Sequence, residues 1–242
     1  MRAVPLTAIL VFAIHLFQGY GSAATMVTYS VGAYQGEALL CRPQGKGPFA
    51  TVVYNHAVIV DNVGYRKAKA RGYDMDQICQ SLAADGFLVF APIRHSGPAS
   101  VLALQEEVSL AVDYVKSMPD VDLSRIALIG FSRGGSLAFM VAVKRKDLKA
   151  VVIQAPAPAG GHFAAAMKQA AAINAPVLLM VEAGDDQIIL VGFEELDQAL
   201  RAHGKDVRTI RYTRGGGHRL FWSVGYYWDD VKNFLREKLS AP

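Results

Sequence analysis

Along this chain, short and almost wholly apolar runs alternate with longer segments in which apolar residues return every three or four positions. The runs at 38–41, 50–55, 88–92, 125–130, 150–154, 177–182 and 207–212 read as strands. Several are apolar throughout, as strands covered on both faces must be. Helical spacing marks 75–84, 102–117, 136–144, 193–202 and 227–239. In the second of these, Leu104, Val108, Ala111, Val112 and Val115 fall on one face and should meet a sheet. Strand and helix in alternation predict an α/β fold with a mostly parallel central sheet and helices on both faces. Residues 155–175 leave room for one short helix only, so no large cap domain is expected, and a site at the carboxyl edge of the sheet should be open.

The chain has 242 residues, 52% of them apolar and 19% charged, which suits one well-buried core. Its formal net charge is +4, without a basic run interleaved with aromatics, so nucleic acid is not an expected partner. Lys144-Arg145-Lys146 falls where a helix should end and reads as C-terminal helix charge. At the amino terminus, Met1-Arg2 is followed by an apolar stretch from Val4 to Phe17 and then Gly21-Ser22-Ala23-Ala24. That order predicts a signal peptide over residues 1–24, followed by a domain over 25–242 that is exported and has no stable membrane insertion. The stretch is shorter than the roughly 20 apolar residues a permanent spanning helix needs; an uncleaved anchor is the alternative. Cys41 and Cys79 are the only cysteines, and in an oxidising compartment they either close one disulfide or remain buried thiols.

Chemistry concentrates at Gly130-Phe131-Ser132-Arg133-Gly134-Gly135, between the strand 125–130 and an apolar helix. A sharp strand-to-helix turn needs glycine on both sides of the serine, and it lifts the hydroxyl toward amides at the helix start. A serine hydroxyl attacks an ester only with a base and a group to orient that base. His218 follows the last strand and Gly215-Gly216-Gly217, a run that lets the loop bend back toward Ser132. The orienting carboxylate should come from Asp185-Asp186 after the strand 177–182. Asp186 is preferred for its Gln-Ile-Ile continuation, with Asp185 as the alternative and Glu182 as the strand's end. Serine, acid, histidine is the chain order of an α/β-hydrolase. The oxyanion donors should be the backbone amides of Arg133 and Ala57, while His56 braces its loop and His203 belongs to a helix end.

The chain resembles the dienelactone-hydrolase-like branch of the α/β-hydrolase superfamily. The resemblance rests on Tyr54-Asn55-His56, Leu82-Ala83-Ala84-Asp85-Gly86-Phe87, Ala91-Pro92-Ile93-Arg94, Asp122-Leu123-Ser124-Arg125-Ile126, the serine turn and Gly216-Gly217-His218. It implies a single-domain α/β-hydrolase fold. Three departures limit the transfer of function. Ser132 stands where dienelactone hydrolases proper carry cysteine, so their lactone substrate does not carry over. His56-Ala57 replaces the usual His-Gly, and the added methyl would tighten or displace the second oxyanion donor. Arg94-His95-Ser96-Gly97 replaces Arg-Gly-x-Gly, which leaves His95 either reaching toward the site or on a surface loop.

These features together point to a carboxylesterase-like serine hydrolase, with Ser132 attacking, His218 moving the proton and Asp186 fixing its ring. The expected partner is a small or polymeric ester, with no metal or organic cofactor. Two alternatives remain: a peptidase or aminoacyl hydrolase of prolyl-oligopeptidase type, and a catalytically silent binding protein on the same fold. Phe221, Trp222, Tyr226 and Tyr227 either anchor the last helix or line an acyl pocket. With an imidazole base, whose reference pKa is about 6.5, hydrolysis should climb through weakly acid pH and level off above it. A rate profile that stays flat from pH 5 to 8 would remove histidine as the base.

Overall fold

The structure is a computed structural model that describes residues 23–95 and 99–240. The export segment expected over 1–24 therefore lies, but for its last two residues, outside the described residues. The chain opens with a hairpin, β1 (Thr25–Val31) and β2 (Tyr34–Cys41), followed by β3 (Phe49–Asn55). Two short helices, α1 (Val58–Val63) and α2 (Tyr65–Ala70), lead into α3 (Met75–Ala84) and β4 (Leu88–Ile93). Next come α4 (Val101–Lys116), β5 (Val121–Phe131), α5 (Arg133–Ala142), β6 (Ala150–Gln154) and α6 (Gly160–Met167). The last elements are β7 (Val177–Glu182), α7 (Gln187–Ala202), β8 (Val207–Tyr212), a 3₁₀ turn (Gly217–Trp222) and α8 (Trp228–Lys238).

The eight strands form one sheet in the order β1-β2-β4-β3-β5-β6-β7-β8. β1 and β2 run antiparallel to their neighbours, and every pair from β4 through β8 is parallel. The expected α/β architecture, mostly parallel and without a large cap, is what the chain adopts. Between β6 and β7 only α6 and a three-residue 3₁₀ turn intervene, and α6 packs on α5 and α7.

Local sequence explains the element ends. Asp74 caps α3 by accepting the Gln77 amide at 3.0 Å, and Met75, Ile78, Cys79, Leu82 and Ala83 form its buried stripe. Ser100 caps α4 through the Ala103 amide at 3.1 Å, and Leu104, Val108, Ala111, Val112 and Val115 are buried as their spacing predicts. β3, β6 and β7 are buried almost without interruption because helices cover both their faces. β1 escapes the sequence pattern: as an edge strand it buries only Tyr29 well and exposes polar residues and Met26. Phe221 and Tyr227 are core residues packed on each other at 4.9 Å between ring centroids, whereas Tyr226 is exposed beneath Arg214. Among the described residues, no helix is long and apolar enough to cross a membrane.

Cys41 of β2 and Cys79 of α3 are joined as a disulfide, with Cα atoms 5.8 Å apart and a sequence separation of 38. A loop of that length stabilises mainly by restricting the unfolded chain, typically by about 2–4 kcal/mol. Replacing both cysteines by serine should therefore lower the unfolding free energy by about that amount. Urea titrations with and without a reductant check this, since reductant should shift the wild-type midpoint and leave the double variant where it is.

Candidate active site

The serine turn is built by close backbone contact. A Cβ on Gly134 would lie 2.2 Å from the Asn55 carbonyl oxygen, and one on Gly130 would lie 2.1 Å from the Gly134 carbonyl oxygen. Only glycine lets α5 start against the ends of β3 and β5. Ser132 itself sits at φ 57°, ψ −122°, a conformation non-glycine residues hold only when their surroundings enforce it. The enforcement is visible: its amide donates to the Gln154 carbonyl at 2.9 Å, and its carbonyl accepts the Ala157 amide at 3.1 Å. The outcome is a buried serine at the mouth of a helix whose first amides have no intrahelical acceptor.

Ser132 Oγ lies 2.8 Å from His218 Nε2, and His218 Nδ1 lies 2.9 and 3.1 Å from the two carboxylate oxygens of Asp185. With the ring proton on Nδ1 and donated to Asp185, Nε2 is left to accept the serine hydroxyl. The side chain of Asp185 is fully buried, while that of His218 is 28% exposed, which leaves the ring edge open to a reactant. Phe131 lies against the imidazole at 4.8 Å between centroids.

The acid is a correction to the sequence reading. Asp186, the preferred candidate, is solvent-exposed and stands just before α7, its carbonyl accepting the amides of Ile189 and Leu190. Asp185 is one residue closer to β7 and points inward. The turn leaving β7 is a residue tighter than the Gln-Ile-Ile pattern suggested, because the Asp185 amide is tied back to the Glu182 carbonyl at 3.0 Å.

Glu182, read as a strand end, does more than terminate β7. Its buried carboxylate accepts the Gly184 amide at 2.7 Å, the Gly215 amide at 3.0 Å and the Gly217 amide at 3.1 Å. One side chain therefore clasps the loop that carries Asp185 to the loop that carries His218. A polar residue closing an apolar strand, ahead of two glycine-bearing loops, is the only sequence signal that foreshadows this.

The expected oxyanion donors divide. The Arg133 amide opens α5 beside Ser132. The Ala57 amide donates at 3.1 Å to the hydroxyl of Tyr73, a residue the sequence did not single out. Ala57 adopts φ −73°, ψ 165°, an ordinary extended conformation, so its methyl group imposes no backbone strain. His95 is more than half exposed, and its ring and amide bond to Glu107 of α4, so it is a surface residue. His203 ends α7, where sequence placed it.

Behind the serine turn lies a buried ionic cluster. Arg94 reaches Asp61 in a two-pronged pair at 2.9 and 3.2 Å, and Arg133 adds a third contact at 3.3 Å. Burial pushes the Asp61 carboxyl up, against the pull of Arg94 and Arg133. His56 is fully enclosed: its Nε2 accepts the Arg94 amide at 3.1 Å, and its Nδ1 lies 2.9 Å from the Ala57 carbonyl. Burial, reinforced by the charge of Arg94, holds the His56 ring well below the ordinary histidine range, so it stays neutral and braces the loop.

This neutral ring has a consequence for acid stability. In the unfolded chain His56 takes up a proton as pH falls through about 6.5, whereas the folded chain resists it. Stability is therefore lost below that pH, by up to about 1.4 kcal/mol per pH unit from this one ring. Unfolding midpoints of the wild type and His56→Gln at pH 7.5 and 5.5 should show the larger drop in the wild type, and equal drops would mean that the ring protonates within the fold.

Comparison with known proteins places this geometry in a family. The model of the dienelactone hydrolase family matches residues 98–221, just over half of the 242-residue chain. A "Putative carboxymethylenebutenolidase" of Yersinia pestis is 26% identical over 226 residues, covering 84% of this chain and 81% of the relative. A protein of the same name from Methylorubrum extorquens is 23% identical over 197 residues, covering 72% of this chain and 64% of the relative, so the chain spans just under two thirds of that protein. Among solved structures, one titled "Putative Dienelactone Hydrolase" from Klebsiella pneumoniae superposes with a TM-score of 0.68 at 18% identity, covering 90% of this chain and 98% of the other. The serine turn and His218 both fall inside the matched region, and the chain belongs to the dienelactone hydrolase family.

Proposed function

We propose that this protein is a serine hydrolase that cleaves carboxylic esters through an acyl-enzyme on Ser132. The observation that carries the reading is the continuous hydrogen-bonded relay from Ser132 Oγ through His218 to Asp185. Ser132 Oγ attacks the ester carbonyl carbon while its proton passes to His218 Nε2, and the carbonyl oxygen becomes an oxyanion beside the Arg133 amide. As the C–O bond to the alcohol breaks, His218 returns the proton to the departing oxygen. Water then repeats the sequence on the acyl-enzyme, giving the carboxylic acid and free serine. Asp185 holds the ring in the required tautomer and offsets the positive charge it gains. No step requires a metal or an organic cofactor.

Ser132 in the place of cysteine separates this site from lactone hydrolysis by dienelactone hydrolases proper and favours simple acyl esters, small or polymeric. The amino-terminal pattern and the Cys41–Cys79 disulfide support an exported protein, since such bonds persist in oxidising compartments.

The relay makes a residue-level test possible. A fluorophosphonate should add one covalent label to the wild type and none to Ser132→Ala, and Ser132→Ala should lose ester turnover by about 10⁶-fold. Asp185→Asn should lower kcat by about 10⁴-fold, with Asp186→Asn staying near wild type. A label that persists on Ser132→Ala ends the serine mechanism, and equal losses in the two aspartate variants end the assignment of the acid. Peptide amides turned over faster than short acyl esters would replace the esterase reading by a peptidase one.

A further inference from the structure

Two phenols sit at the position where the second oxyanion donor was expected. Tyr54 and Tyr73 are fully buried, with hydroxyl oxygens 2.9 Å apart, and the Ala57 amide donates to the Tyr73 oxygen at 3.1 Å. The location is fixed from three sides. β3 ends at Asn55, whose carbonyl touches the start of α5 at Gly134. The Tyr73 ring packs at 5.9 Å on Phe131, the residue before Ser132, and at 6.1 Å on Trp222 of the 3₁₀ turn that carries His218. The Asp74 amide then donates to the Trp222 carbonyl at 2.8 Å, tying the tyrosine's segment to the histidine's.

Counting protons shows what is unusual. A phenol has one proton to give, and its oxygen can accept two. The pair has two protons and one oxygen–oxygen contact, so a single proton suffices to join them. Either oxygen can be the donor across that contact, and with Tyr54 donating, the Tyr73 oxygen accepts from both Tyr54 and Ala57. In that arrangement the proton of Tyr73 has no acceptor among the described residues.

We propose that Tyr73 is a catalytic residue: its uncommitted O–H, oriented by the Ala57 amide and the Tyr54 hydroxyl, donates to the oxyanion in place of the Ala57 amide itself. The assignment rests on the acyl-transfer reading above. An unmatched donor in a buried site is unfavourable until negative charge develops next to it, which favours the transition state over the ground state. Burial pushes the Tyr73 phenol up to about 12, so it keeps its proton across the working range. The Arg133 amide and the Tyr73 hydroxyl would then form a mixed pair of donors, one from the helix start and one from a side chain.

The test uses the full chain with p-nitrophenyl acetate. Tyr73→Phe should lower kcat by about a hundredfold while KM stays within the same order. Affinity for phenylboronic acid, which mimics the tetrahedral adduct on Ser132, should weaken by a similar factor. Unchanged kcat overturns the proposal, as does a rise, which would show the phenol blocking the Ala57 amide. A fall in kcat with boronate affinity intact also overturns it, because packing alone would then account for the loss. If Tyr73→Phe does not fold, trifluorotyrosine at position 73 decides: it keeps the shape and lowers the phenol pKa, so kcat should gain an alkaline decline that the wild type lacks, and the absence of that decline counts against the donor. Wild-type turnover that does not depend on Ser132 defeats the acyl-transfer reading, whereas Ser132-dependent turnover left intact by Tyr73→Phe defeats the tyrosine assignment alone.

Discussion

The contact between α5 and the carboxyl ends of β3 and β5 sets everything else at this site. Gly130 and Gly134 leave no space for a methyl group, and their absent side chains allow three backbone segments to meet where other residues would force them apart. That contact leaves Ser132 in a backbone conformation typically disfavoured by about 1–3 kcal/mol, held by bonds to Gln154 and Ala157. The direction of the hydroxyl is therefore a property of sheet packing, and the imidazole and carboxylate are brought to meet it.

Charge around the turn is arranged in two layers with different purposes. The outer layer is the hydrogen-bonded relay of Ser132, His218 and Asp185, whose imidazole is partly open to solvent. The inner layer is the enclosed cluster of Arg94, Asp61 and His56, in which a neutral imidazole accepts a backbone amide and takes no part in proton transfer. Under the proposed mechanism the two histidines have opposite roles, decided by burial and neighbouring charge. Arg133 joins the layers, since it follows Ser132 at the start of α5 and its guanidinium reaches Asp61.

Much of this was legible in the sequence because the informative features repeat or are sterically unique. Three strands, β6, β7 and β8, and the helix α3 fall where their periodicity places them, and glycine on both sides of Ser132 announces the turn. Features that depend on a single residue's direction were not legible. Asp185 and Asp186 are adjacent and chemically identical, and only the tightness of the turn after β7 decides which one faces His218. β1 lacks a buried face strong enough to mark it, and α1 and α2, at six residues each, are too short to show a period. Tyr73 sits between two helices in a stretch with no motif, and nothing in its neighbours tells that its oxygen meets an amide sixteen residues away.

The clasp made by Glu182 ties together two parts of the chain more than thirty residues apart. Because three amides converge on one carboxylate, neither the acid's turn nor the histidine's loop can drift without pulling on the other. Lengthening the intervening helix or strand would leave the spacing of acid and base untouched so long as those amides still reach the same oxygens. The fold can thereby vary its far edge without moving the two side chains relative to each other.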